Sequence, residues 1–282
     1  MTTTEGLIIS TVDVPGARLR YEVRGSGPLL FVIGSPMAAA EFAALAHALA
    51  DSRTVVTFDP RGYAGSTIDD AELDATPELR ADDVAAILDA LGADTADVFG
   101  SSGGAVTGLA LVTRHPGRVR TLVAHEPPLL DLLPDAQQHR IATDEIIAAF
   151  HRDGPGAAWA AFMSHAGFDL DDPSAGPPPG PEPTADELAK QLAESARFFD
   201  HELRLTTQYA PDVAALTASD SRIVVGLGVD SGRLLTDATS RATAQLIGAE
   251  LVEFPGDHGG FMGVPGEFAE RLSQVLGNTA RM

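Results

Sequence analysis

A serine between glycines is the feature of this sequence that could do chemistry most directly. Ser102 is the central residue of Gly-Ser-Ser-Gly-Gly at 100–104, which follows an apolar strand-like run and precedes a helix-like run. This Gly-x-Ser-x-Gly context is typical of a sharp turn that lifts a serine hydroxyl above the edge of a sheet. We predict that Ser102 is a nucleophile and that the N–H of Gly103, at the start of the helix, stabilises an oxyanion.

A serine hydroxyl attacks a carbonyl effectively only when a base removes its proton. His258 lies just after the last strand-like run, in Gly-Asp-His-Gly-Gly at 256–260, and is one of eight histidines. Ligands of an open α/β sheet bind at the carboxyl ends of its strands. Among the eight, His258 is the histidine whose position satisfies the chain order of serine, acid and histidine. We therefore predict that His258 is the base.

Two carboxylates could orient His258, and each follows a strand-like run. Glu126 lies one strand beyond Ser102, and the two prolines after it would hold its backbone stiffly. Asp230 follows the next strand of the sheet, which is the more usual position, but it stands later after that strand than is common. We favour Glu126 as the acid and keep Asp230 as the alternative.

An oxyanion needs a second donor, which the loop after the third strand-like run should supply. That loop has the sequence Ile33-Gly34-Ser35-Pro36-Met37. Pro36 has no N–H to donate, whereas Gly34 permits a close approach of the backbone. We predict that the backbone N–H of Ser35 is the second oxyanion donor.

Four segments together resemble the α/β hydrolases over essentially the whole chain. They are Gly34-Ser35-Pro36, Asp59-Pro60-Arg61-Gly62-Tyr63-Ala64-Gly65-Ser66, the glycine-flanked serine at 100–104, and Gly256-Asp257-His258. A narrower resemblance is to the zearalenone lactonases, which hydrolyse a macrocyclic resorcylic lactone and carry their acid in a His-Glu-x-Pro stretch. His125-Glu126-Pro127-Pro128 matches that stretch. The resemblance implies Glu126 as the acid and the N–H groups of Ser35 and Gly103 as the oxyanion donors.

The spacing of apolar runs predicts an α/β fold: a mostly parallel eight-stranded sheet flanked by helices, with an inserted helical cap. The predicted strands are 7–11, 18–24, 29–33, 55–58, 96–99, 118–124, 222–227 and 250–254. Residues 129–215 show helical patterns but no clear strand. We therefore predict a core at 1–128, the cap at 129–215 and the rest of the core at 216–282, with an exposed Pro/Gly-rich loop at 171–183.

Aromatic residues are concentrated in the predicted cap, although they make up only 6% of the chain. We predict that some of these apolar side chains form the wall of a substrate pocket. The predicted pocket residues are Trp159, Phe162, Met163 and Phe199. An aromatic stripe at helical spacing is also typical of side chains that merely hold a cap to its core, and this alternative stays open.

The composition limits the classes of partner. The 282 residues carry a formal net charge of −21, which disfavours nucleic acid and anionic membranes. The chain has no cysteine, no visible signal peptide and no apolar run long enough to span a membrane. We therefore predict a cytoplasmic protein whose partner is a small-molecule ester or lactone, and the sequence leaves formation of a homodimer open.

The leading hypothesis is a serine hydrolase of esters or lactones, which needs no cofactor and no metal. The same residues would also serve a cofactor-free haloperoxidase-like perhydrolase or a carbon–carbon bond hydrolase. A non-catalytic binding protein on a hydrolase scaffold is a third alternative. It is disfavoured because a binding module needs no set of serine, histidine and acid.

Overall fold

One sheet of ten strands runs through the computed structural model, which describes residues 2–4, 6–169 and 183–277. The strands are β1 (Thr2–Thr4), β2 (Leu7–Val14), β3 (Ala17–Arg24), β4 (Leu29–Ile33), β5 (Thr54–Phe58), β6 (Thr67–Ile68), β7 (Ala96–Ser101), β8 (Val119–His125), β9 (Arg222–Gly228) and β10 (Glu250–Phe254). Their order is β1-β2-β3-β5-β4-β7-β8-β9-β10, with β6 paired to β3. Pairings from β5 to β10 are parallel, and those among β1, β2, β3 and β5 are antiparallel.

The predicted fold class is confirmed, and each of the eight predicted strands corresponds to a long strand of this sheet. The two additional strands, β1 and β6, have three and two residues. Segments this short contain no hydrophobic period, so the sequence carries no signal for them. The central strand β7 is buried at every position, as expected of a parallel strand covered on both faces.

Helices cover both faces of the sheet and occupy much of the chain between β8 and β9. They are α1 (Ala43–Leu49), α2 (Pro77–Ala90), α3 (Gly103–Arg114), α4 (Ala136–Asp153), α5 (Pro155–Ala166), α6 (Ala185–His201), α7 (Leu203–Thr207), α8 (Val213–Ala218), α9 (Leu235–Ile247), α10 (Gly260–Gly263) and α11 (Pro265–Gly277). Two residues fix the start of α2. The side chain of Thr76 accepts a hydrogen bond from the N–H of Leu79, and Pro77, the first residue of the helix, has no N–H that would need an acceptor.

The core consists of two apolar layers, one on each face of the sheet. Successive residues of β4 alternate between them: Phe31 and Ile33 belong to one layer, Leu30 and Val32 to the other. This alternation is the two-residue period of a strand, and it requires apolar side chains at consecutive positions when both faces are covered.

A buried ion pair anchors the loop after β5 to α2. Nε of Arg61 donates to Asp83 Oδ2 at 2.8 Å and Nη2 donates to Oδ1 at 2.5 Å. The two side chains are 1% and 2% exposed. The paired, parallel geometry satisfies both charges away from water. Arg61 belongs to one of the segments that carry the family resemblance, and its position here is structural.

Helices α4 to α7 are called the inserted helices below. They share an apolar cluster that contains Ile146, Ala158, Phe198, Phe199 and Leu203. The helical pattern of the sequence over 185–209 is interrupted in the structure at Glu202, whose φ of −131° and ψ of −46° separate α6 from α7.

The predicted boundary between the cap and the second part of the core, at residues 215 and 216, lies within α8. Leu216 of α8 packs in the apolar layer beneath the sheet, so α8 belongs with the core although it starts before residue 216. All of the predicted loop at 171–183 except its last residue lies outside the described residues. The division into core and cap therefore stays a prediction.

Candidate active site

Ser102 occupies a strained turn between β7 and α3. Its φ of 56° and ψ of −124° lie in a region of backbone conformation that residues other than glycine rarely adopt. The turn closes because its flanking residues have no side chains: a Cβ on Gly100 would lie 2.4 Å from Gly104 O, and one on Gly104 would lie 2.0 Å from Ile33 O. The glycine spacing in the sequence is thus a direct requirement of this turn.

The side chains of His258 and Glu126 meet at the carboxyl ends of the parallel strands. Glu126 Oε2 lies 2.7 Å from His258 Nδ1. The carboxylate is fully buried and accepts further hydrogen bonds from Thr236 Oγ1 at 2.6 Å, from Ser231 Oγ at 2.5 Å and from the N–H of Gly228 at 2.8 Å. Four donors therefore hold this carboxylate in one orientation.

The electrostatics of Glu126 favour its ionised form. Burial raises the pKa of a carboxyl, but the hydrogen bond and the charge of His258 outweigh burial and hold the pKa of Glu126 well below its usual range. A carboxylate that stays ionised keeps a proton on Nδ1 of His258, so that Nε2 is the free basic nitrogen of the neutral ring.

Asp230, the alternative acid, follows β9 in an exposed position. Its N–H donates to Gly256 O at 3.0 Å. Within the described part of the chain, its carboxylate makes no hydrogen bond to His258 or to any other residue. Of the two carboxylates, the geometry brings Glu126 to the imidazole.

The two predicted oxyanion donors are adjacent in space. A Cβ on Gly103 would lie 2.8 Å from Ser35 O, so glycine is needed where α3 meets the loop after β4. The peptide bond between Ser35 and Pro36 is cis. Among the described residues, neither the N–H of Ser35 nor that of Gly103 has a hydrogen-bond partner. Both residues line the same cavity.

The hydroxyl of Ser35 joins the core to the inserted helices. It donates to Glu202 Oε2 at 3.1 Å and accepts a short hydrogen bond from Nη1 of Arg80 in α2. Nη2 of Arg80 donates to Thr206 Oγ1 at 2.8 Å. Arg80 and Glu202 are both buried. No sequence pattern indicated this network, because its members are far apart along the chain and each is a common residue type.

A cavity of about 620 Å³ lies between the carboxyl ends of the strands and the inserted helices. Ser102 and His258 line it together with Ser35 and Gly103. Most of the remaining wall is apolar, and its side chains include Met37, Leu130, Ile146, Trp159, Phe162, Met163, Phe168, Phe198, Leu203, Leu234, Leu235, Phe261 and Met262. The site therefore combines a few convergent polar groups with a large apolar surface, as small-molecule sites do.

Three of the four predicted pocket residues, Trp159, Phe162 and Met163, line this cavity. The expectation for Phe199 needs correction. Its side chain is fully buried among the inserted helices, where its ring lies 5.4 Å from that of Phe150, and it is absent from the described wall of the cavity. Its neighbour Phe198 faces the cavity instead, because adjacent residues of a helix point in different directions.

His125 lies behind His258, a relation that the sequence does not predict. It is the last residue of β8, it is fully buried, and its Nδ1 is 3.2 Å from Ser101 Oγ. Burial is the main cause that lowers the pKa of His125 to about 4. The signal that could have indicated this histidine is its position beside Glu126 at the end of an apolar strand.

In the described residues, 2–4, 6–169 and 183–277, no group of three or more histidine, aspartate or glutamate side chains is arranged to hold a metal ion. No helix there is long and apolar enough to cross a bilayer.

The family follows from comparison with known proteins. A model of the alpha/beta hydrolase fold family matches residues 27–248. The chain is also 34% identical over 277 residues to an uncharacterized hydrolase, YraK, of Bacillus subtilis (strain 168), covering 94% of this chain and 95% of that protein. The chain belongs to the α/β hydrolase family.

Narrower similarities concern part of the chain or its fold alone. Zearalenone hydrolase of Bionectria ochroleuca is 33% identical over 131 residues, which are 44% of this chain and 50% of that protein. The crystal structure of the enol-lactonase from Burkholderia xenovorans LB400 matches with a TM-score of 0.70 at 18% identity, over 95% of this chain and 100% of that one. At 18% identity, the similarity to the enol-lactonase shows a common fold and nothing more.

Proposed function

We propose that the protein is a serine hydrolase that cleaves a carboxylic ester or lactone of a hydrophobic small molecule through an acyl-enzyme. The observation that carries the proposal is the 2.7 Å contact between Glu126 Oε2 and His258 Nδ1, at the wall of a cavity that Ser102 also lines. In this proposal Ser102, His258 and Glu126 are the nucleophile, the base and the acid.

Each residue has a defined task in the acylation step. Ser102 Oγ attacks the carbonyl carbon while Nε2 of His258 takes its proton, and Glu126 stabilises the imidazolium through Nδ1–H. The N–H groups of Ser35 and Gly103 hold the oxyanion of the tetrahedral intermediate. The protonated histidine then gives its proton to the leaving alkoxide, which departs as an alcohol or, from a lactone, stays tethered to the acyl group.

Deacylation repeats these roles with water. His258 removes a proton from water, the hydroxide attacks the acyl carbon, and Ser102 leaves with the proton that His258 returns. The products are a carboxylic acid and an alcohol, or a hydroxy acid from a lactone.

The substrate class is inferred from the wall of the cavity. The inserted helices contribute apolar side chains such as Trp159, Phe162 and Met163, and we propose that these helices act as a substrate-binding cap. A zearalenone-type macrolactone is the narrower candidate. It is supported by the partial similarity to a protein named zearalenone hydrolase and by the presence of Glu126 directly after His125.

The test is a substrate panel combined with active-site labelling. Aryl esters of increasing acyl size, small lactones and macrocyclic lactones are incubated with the wild-type protein and with Ser102→Ala, and the products are identified by mass spectrometry. A fluorophosphonate probe should label the wild-type protein and the control Ser164→Ala, an exposed serine of α5, but not Ser102→Ala. Equal labelling of Ser102→Ala, or hydrolysis of no panel member, would contradict the proposal.

A further inference from the structure

A row of three polar side chains in the inserted helices reaches the cavity and takes no part in the proposed mechanism. Asp135 precedes α4, His139 follows one turn later in α4, and His165 lies in the last turn of α5. Asp135 Oδ1 is 3.1 Å from His139 Nε2, and His139 Nδ1 is 3.3 Å from His165 Nε2. Asp135 is exposed, His139 is buried, and His165 lines the cavity.

The exposed end of this row determines where its protons lie when both histidines are neutral. An ionised carboxylate can only accept, so Asp135 takes the hydrogen of His139 Nε2. His139 Nδ1 is then a lone pair, which accepts the hydrogen of His165 Nε2. The remaining nitrogen, Nδ1 of His165, is therefore an acceptor without a hydrogen. Within residues 2–4, 6–169 and 183–277, it has no hydrogen-bond partner.

The surroundings of His165 favour its neutral form. Burial and the adjacent His139 imidazole both lower its pKa. The wall of the cavity that His165 lines is largely apolar and includes Ile146 and Phe162. An acceptor in such surroundings loses its interactions with water when a hydrophobic ligand fills the cavity, unless the ligand supplies a donor.

His165 and the residues that follow it form part of the cavity wall that also reaches His258. Three residues further on, the ring of Phe168 lies 6.2 Å from the ring of His258. A ligand whose carbonyl is near Ser102 can therefore contact His165 with a more distant part of its structure, since both residues line one cavity of about 620 Å³.

We propose that Nδ1 of His165 accepts a hydrogen bond from a hydroxyl group of the substrate, and that Asp135 and His139 fix the imidazole for this task. The inference rests on the proposed function, and it narrows the substrate class to hydrophobic esters or lactones with a hydroxyl remote from the scissile carbonyl. A site built to bind a hydroxyl discriminates strongly against an analogue that lacks one, because its polar group is left unpaired.

The experiment uses matched pairs of aromatic lactones that differ in one phenolic hydroxyl. Their binding to the Ser102→Ala protein is measured by calorimetry at pH 8, above the ordinary pKa of histidine. For at least one pair, the hydroxylated member should bind roughly 10-fold or more tightly than its partner.

Variants separate this role from a structural one. In the Ser102→Ala background, His165→Phe should remove the preference for the hydroxylated member, whereas His165→Asn, whose amide oxygen accepts, should restore part of it. Asp135→Ala should weaken the preference, because the carboxylate would then no longer determine which ring nitrogens of His139 and His165 carry a hydrogen. His151→Phe, which alters an exposed histidine of α4, is the matched control and should keep the full preference.

The outcomes distinguish this inference from the proposed function. If no pair binds, if the two members of every pair bind equally, or if His165→Phe weakens both members by the same factor, the inference is wrong. Turnover of either member of any pair by the wild-type protein tests the proposed function by itself. Its absence would contradict hydrolysis, while the binding data would still decide the role of His165.

Discussion

The imidazoles of His125 and His258 lie one behind the other, with ring centroids 6.3 Å apart and ring planes inclined by 26°. The two rings differ in their access to water: the side chain of His258 is 17% exposed, whereas His125 is fully buried. A positive charge on His125 would repel the imidazolium of His258 that the proposed mechanism requires. A buried, neutral His125 avoids this conflict.

The first prediction concerns stability as a function of pH. The pKa of His125 is about 4 in the folded protein, whereas a histidine in an unfolded chain has its ordinary pKa of 6.5, so the unfolded chain binds more protons between these pH values. The free energy of unfolding should therefore fall as pH decreases from 6.5 to 4, by about 3 kcal/mol in all. Urea unfolding of the wild-type protein and His125→Asn across this range measures the effect.

The variant should show a shallower slope between pH 6.5 and 4 than the wild-type protein. The pKa of Glu126 is lowered in the folded state, so its contribution is lost in a separate, more acidic range, below the ordinary pKa of a glutamate. Parallel slopes in the two proteins between pH 6.5 and 4 would show that His125 is not the group responsible.

The second prediction decides between the two candidate acids. Glu126→Gln keeps the shape of the side chain and removes its charge, so kcat should fall about 10³- to 10⁴-fold, because the imidazolium loses its stabilising partner. Asp230→Asn removes a charge from an exposed carboxylate at the same end of the sheet, and kcat should change little. Steady-state kinetics on one aryl ester compares them. The reverse order of effects would assign the acid to Asp230.

The third prediction concerns the buried ion pair. Asp83→Ala leaves the guanidinium of Arg61 buried without its partner, and the free energy of unfolding should fall by about 3–5 kcal/mol. Asp13→Ala breaks an exposed pair with Arg18 and serves as the control, for which no measurable change is expected. Equal transition midpoints in urea for the two variants would contradict this ranking.

The fourth prediction tests the role of the aromatic residues in the inserted helices. Trp159 lines the cavity, and its indole stacks on Phe198 with centroids 5.0 Å apart. Trp159→Ala should raise KM roughly 10-fold for esters with bulky acyl groups and far less for acetate esters, because only large substrates lose contact area.

The control for this prediction is Phe199→Leu, which alters a buried ring that packs on Trp159 with centroids 4.9 Å apart but is not part of the described wall of the cavity. It should lower the melting temperature without a KM effect that depends on substrate size. If Trp159→Ala changes KM by one factor for all substrates, the indole serves only to pack the helices together.

The sequence predicts features that are formed by neighbouring residues of the chain, and it does not predict contacts between segments that are far apart along it. The turn at Ser102 is local: its glycines and the adjacent strand and helix form one continuous segment, so the pattern alone indicates it. The eight long strands have an apolar period or run that can be recognised without knowledge of their neighbours. Phe199 was predicted to line the pocket and is instead buried among the inserted helices, because helical spacing indicates that a side chain is buried but not which neighbour covers it.

Contacts between distant segments leave no such pattern. Ser231 and Thr236 bind the carboxylate of Glu126 from more than 100 positions away, and hydroxyl residues after a strand are common in loops of every kind. The row from Asp135 to His165 likewise crosses from one helix to another. Only the three-dimensional structure brings these groups together.

The hydroxyl of Ser35 is bound from two sides, by Arg80 of the core and by Glu202 of the inserted helices. If those helices swung away from the sheet as a rigid lid, they would take with them a hydrogen-bond acceptor of the residue proposed to bind the oxyanion. An open lid would thus leave the hydroxyl of Ser35 held by Arg80 alone. Opening of the cavity and loosening of the proposed oxyanion donor would then occur together.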